Sequence, residues 1–424
     1  MRRPKWWNEN VAQFLLAVSL AVMAGLYRDG FPALFPFMRE EFGVSRAVLG
    51  MYVSVLYLIS SVIAVMAGHV ADRLGAKRAL TWGALALGII ILVHTWAPSF
   101  AMMLALAVLA AFGFSIISPG TNKVATDRFP PQRRGTFMGL VFLGWSMGGL
   151  IGAVTLPSIA SAFGWRIAVL SMALAMLAVL LAFRIKYREV GEEPAREDEE
   201  TAREAEPSLK DTSFRGGFAS LLADRYILMI CSVGLVLGGI SGTMAAHYTL
   251  FFHLDLGYSE AIAGLGFAFL HAGSLSGRPA WGLLNDRVFD SNERTSFLWI
   301  TFTTAATVTA LALVSRFLTA PSLVLLFALT FVVGFCARGW PGVLFAAVSK
   351  RVDSNRAGMA TGFTLLFVRM GITVAPPIFG YVADLTGTYE MSWFLTAALS
   401  ALAGILLYTL GSRISGDRNV EDTG

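Results

Sequence analysis

The sequence predicts an all-α membrane protein with twelve transmembrane helices, arranged as two six-helix bundles related by pseudo-twofold symmetry. Three observations support this fold class: the composition, the length of the apolar runs and an internal repeat. Of the 424 residues, 56% are hydrophobic and only 14% are charged, whereas soluble globular chains carry about 25% charged residues. A water-soluble fold could not hide that much apolar surface. We therefore expect lipid to surround most of the chain.

The apolar runs define the individual helices, because about 20 apolar residues are needed to cross a bilayer. The first run continues from Val11 to about Met38, past the roughly 7–15 apolar residues of a signal peptide, so an uncleaved first span is expected. The predicted spans are approximately 11–38, 47–67, 79–98, 100–121, 135–160, 166–184, 226–252, 260–283, 296–316, 321–348, 357–383 and 391–411.

The distribution of lysine and arginine predicts the orientation in the membrane. Twenty-five of the 33 cationic residues fall in the two tails, the central loop and the other segments on one side, and four fall on the opposite side. Cytoplasmic loops carry the excess of positive charge. The sequence thus predicts a multi-pass protein of the cell inner (plasma) membrane with both termini in the cytoplasm.

A polar, acidic segment divides the spans six and six. Residues 186–224 include Glu189-Val-Gly-Glu-Glu193 and Glu197-Asp-Glu-Glu200, a composition typical of a solvated linker with little fixed structure. The predicted organisation is a first six-helix bundle in residues 1–185, a cytoplasmic linker in 186–224, and a second bundle with a short tail in 225–424.

The two halves repeat each other in sequence. The segment from Gly68 to Arg73, after span 2, matches the segment from Gly282 to Arg287 after span 8. A constant shift of 223 residues aligns a set around span 5 with a set around span 11, and Pro119-Gly120 corresponds to Pro341-Gly342. A parallel repeat of this kind places a substrate site near the membrane midplane, between the halves. The first set is Arg133, Gly135, Gly139, Met147 and Gly148, and the second is Arg356, Gly358, Gly362, Met370 and Gly371.

The segment Gly68-His-Val-Ala-Asp-Arg-Leu-Gly-Ala-Lys-Arg78 resembles the loop signature of the major facilitator superfamily, and the resemblance extends over nearly the whole chain. It implies a transporter that functions as a monomer. It also implies a charge relay between the halves that includes Asp72, with Arg73 and Arg78 beside it. The second copy keeps Asp286 and Arg287 but then departs from the signature.

A second, shorter match concerns span 8. Gly277-Arg278-Pro279, followed by Trp281-Gly282, resembles monocarboxylate transporters and oxalate/formate antiporters. In those families an arginine at this place binds the substrate carboxylate, which implies the same role for Arg278. Monocarboxylate transporters have an aspartate four residues earlier, where this chain has Ser274.

Ionisable residues inside the spans are the candidate site, because such groups are costly in a bilayer and usually face a cavity or a partner. Arg28, Arg278, Arg338 and Arg369 are four cations against one anion, Asp29. Guanidinium groups bind carboxylates bidentately and keep their charge, so a small organic anion is the predicted substrate. Neighbouring α-helical positions point about 100° apart, so Arg28 and Asp29 should not face one spot. A structural role for each arginine remains open.

Protons are the predicted coupling ion. Asp29 is the candidate carrier, and His271 and His247 are further candidates. His271 lies seven residues before Arg278 and so shares a helix face with it. A histidine in a span is also compatible with an ordinary hydrogen-bonded structural role.

Other function classes lack their motifs. The sequence contains no zinc-protease, nucleophile-elbow or nucleotide-loop pattern, so neither an enzyme nor an ATP-driven pump is predicted. No cofactor, metal site or nucleic-acid partner is expected, because the two cysteines lie in apolar runs and the basic residues are scattered through short loops. The favoured function is secondary transport of a monocarboxylate or related anion, by proton coupling or exchange. The alternative is efflux of drug-like or lipid-like molecules.

Overall fold

The computed structural model describes residues 5–189, 220–317, 321–352 and 357–421. These residues form helices and short connections, and none of them lies in a β-strand. The predicted linker at 186–224 falls largely on residues 190–219, outside the described part of the chain. The helices on either side of it form the two predicted halves.

Helices occupy all twelve predicted positions. Span 1 is interrupted, with α-helices at Lys5–Gly25 and Phe35–Phe42. Spans 2 to 6 are Arg46–Leu74, Ala76–His94, Phe100–Arg128, Pro131–Phe163 and Trp165–Lys186. Spans 7 to 12 are Arg225–Leu254, Glu260–Arg287, Glu293–Phe317, Leu323–Arg338 continued by Pro341–Ser349, Ala357–Thr386 and Glu390–Glu421.

Eleven of these helices are, within the described residues, long and apolar enough to cross a membrane. The exception is span 8, which has 28 residues and is therefore about 42 Å long. Its length is sufficient, but its glycines, serines and His271 lower its mean hydropathy. Span 8 is also packed between other helices, since it contacts spans 5, 7 and 10. A helix buried among other helices can carry more polar residues than one that faces lipid.

The span boundaries follow from local capping. The side chain of Ser45 accepts a hydrogen bond from the Val48 N–H at the start of span 2, and Ser99 does the same for Met102 in span 4. These bonds satisfy N–H groups that have no partner within the helix. Between spans 5 and 6 the chain reverses at Gly164, whose φ of 86° is a backbone conformation that favours glycine.

Span 1 changes its helical geometry at the predicted charged pair. A π-helical turn at Leu26–Gly30 leads into a 3₁₀ turn at Phe31–Leu34. Pro32 and Pro36 have no N–H to donate, so each removes one hydrogen bond that a regular α-helix would make in this segment. This break explains why the expectation of divergent Arg28 and Asp29 side chains was wrong: the two are in direct contact.

Equivalent glycines build the core of each half. Gly148 of span 5 lies against the backbone of span 1, and a Cβ there would meet the Leu26 nitrogen at 2.5 Å. Gly371 of span 11, its repeat partner, lies against the backbone of span 7, where a Cβ would meet the Gly239 nitrogen at 2.8 Å. Small residues allow this close approach of membrane helices. The sequence repeat therefore corresponds to a repeated helix-packing arrangement.

The halves meet mainly through span 2 against span 11 and span 5 against span 8. We call the side of the bundle that holds the ends of spans 6 and 12 the linker side, and the opposite side the far side. At the far side the halves are in close contact: a Cβ added to Gly50 of span 2 would lie only 2.7 Å from the Pro376 carbonyl oxygen of span 11. The described structure is thus closed at the far side.

Candidate functional site

A cavity of about 850 Å³ lies between the two halves. This volume is within the range of roughly 300–1,000 Å³ that is usual for small-molecule sites. The cavity wall is largely aromatic and aliphatic, with polar groups at separate points. The first half contributes side chains from spans 1, 2, 4 and 5, and the second half from spans 7, 8, 10 and 11.

All four arginines singled out from the sequence line this cavity. Arg28 comes from span 1, Arg278 from span 8, Arg338 from the end of the first part of span 10, and Arg369 from span 11. Asp29 is the one carboxylate among the lining residues of the described structure. The fold thus brings together five ionisable residues that are up to 341 positions apart in sequence.

Arg28 and Asp29 form a tight pair. The Arg28 Nη2 donates to Asp29 Oδ2 at 2.5 Å, and the Asp29 side chain is only 5% exposed. The Arg28 guanidinium also lies over the Trp145 ring, 5.0 Å from its centroid, and 5.9 Å from that of Phe114. A desolvated cation–π contact adds to the ion pair. Arg28 is therefore neutralised within its own half.

The other three arginines have no such partner. Arg278 Nη1 donates to the Ser146 hydroxyl across the interface at 2.7 Å. In the part of the chain that the structure describes, the side chains of Arg338 and Arg369 have no hydrogen bond and no ion pair, and the buried Nη1 of Arg338 is unsatisfied. A buried charge without a partner is costly. The second-half wall of the cavity is thus positively charged and uncompensated.

The two candidate histidines lie in different places. His271 is buried where span 8 crosses span 5, and a Cβ on Gly149 would lie 2.7 Å from both His271 Cε1 and Asp29 Cβ. Its Nε2 is buried without a hydrogen-bond partner. His247 lies outside the cavity, where its ring bonds with the Pro376 carbonyl at 2.9 Å and the Tyr389 hydroxyl at 3.2 Å. The geometry therefore brings His271, but not His247, next to Asp29.

The predicted gating residues lie at the linker side, away from the cavity. Asp72, Arg73, Arg78 and Arg287 are each solvent-exposed or lipid-exposed, and among the described residues none of them forms a hydrogen bond or ion pair. Asp286 accepts a hydrogen bond from Asn285 Nδ2 at 3.0 Å. No charge relay is formed across the described linker-side ends in this conformation, and the relay stays a prediction.

A far-side ion cluster was not predicted from the sequence. The Arg46 guanidinium donates to the carbonyls of Ala383 and Gly387 at 3.0 and 2.8 Å. It lies 3.9 Å from a carboxylate oxygen of both Asp255 and Asp384. We call Arg46, Asp255, Asp384 and Tyr389 the far-side closure. From the sequence, Arg46 was used only to predict the orientation in the membrane. The one available signal for this cluster was the position of Asp255 and Asp384 at the ends of spans 7 and 11.

The described residues contain no cluster of three or more His, Cys, Asp or Glu side chains that could hold a metal ion. The lining of the cavity fits an anion better than a metal cation, because guanidinium is the dominant charged group there.

Comparisons with known proteins agree with this fold. The family model of the Major Facilitator Superfamily matches residues 17–291 and 248–422. The chain is 24% identical over 399 residues to the hexuronate transporter of Bacillus subtilis, covering 90% of this chain and 89% of that protein. It is 27% identical over 401 residues to the gentisate transporter of Corynebacterium glutamicum, covering 91% and 85%.

Among solved structures, the fold is similar to a bacterial homologue of the human lysosomal transporter Spinster in an inward-facing, unoccupied conformation. The TM-score is 0.79 at 16% identity, and the match covers 96% of this chain and 97% of the other. Two halves of six helices around a central cavity, a repeated glycine-packed core and a family model that matches most of the sequence lead to one conclusion. This chain is a multi-pass membrane transporter and belongs to the Major Facilitator Superfamily.

Proposed function

We propose that this protein is a secondary transporter that moves a small organic carboxylate across the membrane by alternating access, coupled to protons or to exchange. The observation that carries this proposal is the presence of Arg338 and Arg369 in the cavity wall without a carboxylate partner in the described structure. An organic anion is the partner that such an arrangement favours.

Substrate binding would neutralise the second-half wall. A carboxylate accepts two parallel hydrogen bonds from a guanidinium, and hydrogen bonds to charged groups contribute about 1.5–3 kcal/mol each. Arg278 already reaches across the interface to Ser146. An anion held by Arg278, Arg338 and Arg369 would therefore lie against the second-half wall, beside the contact that Arg278 makes with Ser146 of the first half. Without the anion the charge of these three cations is uncompensated.

Coupling would depend on the Arg28–Asp29 pair. While Asp29 is ionised, its carboxylate occupies the Arg28 guanidinium at 2.5 Å. A proton on Asp29 would release Arg28 to the substrate, so proton and anion would enter the cavity together. His271, whose unsatisfied Nε2 lies close to the same junction, is placed to share that proton. The hydrogen bonds of His247 favour a role in the far-side closure instead.

We assign the linker side to the cytoplasm, because it carries most of the lysines and arginines. The described structure is then the inward-facing state of an inner-membrane protein, and both termini are cytoplasmic. Return to the outward-facing state requires the linker-side ends of the helices to close. Asp72, Arg73 and Arg78, together with Asp286 and Arg287, would form the charge relay of that second state. We propose that the transporter functions as a monomer.

Uptake into proteoliposomes tests this function. Radiolabelled lactate, pyruvate, formate, oxalate and a sugar acid are compared with and without an inward proton gradient, in wild type, Arg338→Ala and Arg369→Ala. The matched control is Arg316→Ala, a cation outside the cavity that pairs with Glu390. We expect the cavity variants to raise the KM for the transported anion by about 10- to 100-fold.

Two results would contradict the proposal. One is transport of none of the anions by wild type, which would favour efflux of drug-like or lipid-like molecules. The other is unchanged anion transport in both cavity variants, which would give the arginines a structural role.

A further inference from the structure

A row of polar side chains on span 4 faces the cavity without hydrogen-bond partners. Ser115, Ser118 and Asn122 are three and seven residues apart, which places them on one face of the helix, and all three line the cavity. In the described structure none of these side chains makes a hydrogen bond. Ser115 is only 7% exposed, and both its hydroxyl and the Asn122 Oδ1 are buried and unsatisfied. We call these three residues the span-4 polar row.

This row departs from the pattern in the rest of the bundle. Hydroxyl groups in the membrane helices mostly donate to a carbonyl of their own helix: Ser54 to Gly50 at 3.2 Å and Ser61 to Tyr57 at 2.6 Å are examples. Thr121, one position before Asn122, bonds in the same way to Ile117 at 2.8 Å. The hydroxyls of the row are thus free for another partner.

Leaving these groups unpaired has a cost. A buried donor or acceptor without a partner is destabilising relative to a satisfied one. Pro119, inside the same stretch, has no N–H to donate to the Ser115 carbonyl, which adds a backbone acceptor with no helical donor. Water can satisfy these groups in an empty cavity, and a ligand that displaces the water must replace its hydrogen bonds. An apolar ligand surface at this place would lose affinity.

The unpaired cations of the cavity lie in the second half and not on span 4. Arg338 and Arg369, in the second half, lack an acidic partner among the described residues, while the cation of the first half, Arg28, is paired with Asp29. One wall of the cavity is therefore cationic. The facing span-4 wall is neutral and rich in hydrogen-bonding groups.

We propose that the span-4 polar row binds hydroxyl groups of the transported anion, so the substrate class is hydroxylated carboxylates. The ligand lies across the cavity with its carboxylate on the second-half arginines and its hydroxyl-bearing end on span 4. A substrate hydroxyl donates to the Asn122 Oδ1 and accepts from the Ser115 and Ser118 hydroxyls. Because both halves hold different ends of one molecule, only a correctly oriented ligand links them. This inference rests on the proposed transport of an organic anion.

The test is competition between carboxylates that differ only in hydroxylation. Unlabelled lactate and propionate, gluconate and hexanoate, and 4-hydroxybenzoate and benzoate compete in pairs against uptake of whichever labelled anion wild type transports. For wild type we expect the hydroxylated member of at least one pair to inhibit about tenfold more strongly, the effect of one hydrogen bond to an otherwise unsatisfied site.

The variants Ser115→Ala and Asn122→Leu each remove one proposed partner of the substrate hydroxyl. If either variant fails to fold, Ser118→Ala tests the same row with a smaller change. We expect each to reduce the preference for the hydroxylated member toward parity while the deoxy member inhibits as before. Ser61→Ala is the matched control, since its hydroxyl is already bonded within its own helix, and it should keep the wild-type preference.

The outcomes separate the two proposals. If carboxylates compete but wild type does not prefer the hydroxylated member in any pair, the span-4 proposal is overturned and anion transport stands. A row variant that weakens both members equally also overturns it, because the row is then structural. If no carboxylate competes at all, the proposed function itself fails.

Discussion

Asp384, at the end of span 11, caps the start of span 2, where Arg46 begins the helix. The Arg46 N–H donates to Asp384 Oδ1 and the Ala47 N–H to Oδ2, both at 3.0 Å. One carboxylate from the second half thus satisfies two N–H groups at a helix N-terminus of the first half, where the helix dipole also favours negative charge. This contact exists only while the far side is closed.

Loss of the Asp384 carboxylate should open the far side. Asp384→Ala removes two charge-assisted hydrogen bonds of about 1.5–3 kcal/mol each, so we expect the ratio of closed to open molecules to fall at least about tenfold. Pulsed EPR distances between spin labels at the exposed positions Glu40 and Thr388, one in each half, measure this ratio. Asp224→Ala is the matched control, because that carboxylate caps the start of span 7 within the second half, away from the far-side closure. An unchanged distance distribution in Asp384→Ala would rule out the capping role.

The far-side closure should weaken as pH rises. Burial raises the pKa of Asp255 to about 6, with the Tyr389 N–H and Arg46 offsetting part of the rise and Glu390 adding to it; Asp384 faces the same guanidinium. In the open state the carboxyl returns to water and a pKa of about 3.9. The closed state therefore binds the proton more tightly. Protonated Asp255 therefore stabilises the closed state fully below about pH 4. As the pH rises through 6, the ratio of closed to open molecules falls by up to roughly 100-fold.

The same labelled pair gives the pH profile, recorded between about pH 4.5 and pH 7.5, across the raised pKa. Asp255→Asn cannot titrate, so its closed fraction should be flat over this interval. A wild-type profile that is equally flat, or one that rises with pH, would contradict the assignment.

Gly380 should tolerate no side chain in the closed state. A Cβ there would lie 2.6 Å from the Ala47 nitrogen and from the Arg46 carbonyl carbon, too short for any real contact. We expect Gly380→Ala to push the halves apart at the far side and to slow transport by about tenfold or more, with normal helix content by circular dichroism. Gly282→Ala, at a helical glycine with open space around it, should transport within about twofold of wild type. Equal activity of the two variants would refute this packing argument.

Asp29→Asn should separate anion binding from proton coupling. The change removes the carboxylate that occupies Arg28, so the cavity gains positive charge and the KM for the anion should fall. Gradient-driven uptake should drop about tenfold or more, since no proton can be carried at this position, while anion counterflow persists. Glu260→Gln, whose carboxylate pairs with His253 outside the cavity, is the control. Retained gradient-driven uptake in Asp29→Asn would exclude Asp29 as the proton carrier.

Much of the fold could be read from local sequence. Apolar runs of sufficient length insert as helices wherever they occur, and twelve helices are found at the twelve predicted positions. Span 8 was predicted as a span from its apolar run at 260–283, although its mean hydropathy is lower than that of the other eleven described spans. The four arginines could also be selected from local sequence, because a charge within an apolar run is costly and needs a partner or a cavity.

The sequence by itself therefore determined the class of the protein, its helices, and the ionisable residues that were worth attention. Tertiary structure decided how these residues pair. The break in span 1 turned Arg28 onto Asp29, and packing between the halves placed Arg46 beside Asp384, 338 residues away. It also left the hydroxyls of Ser115 and Ser118 facing a cavity. The physical reason is that hydropathy is a local property, whereas the partner of a buried polar group depends on which distant helix lies against it.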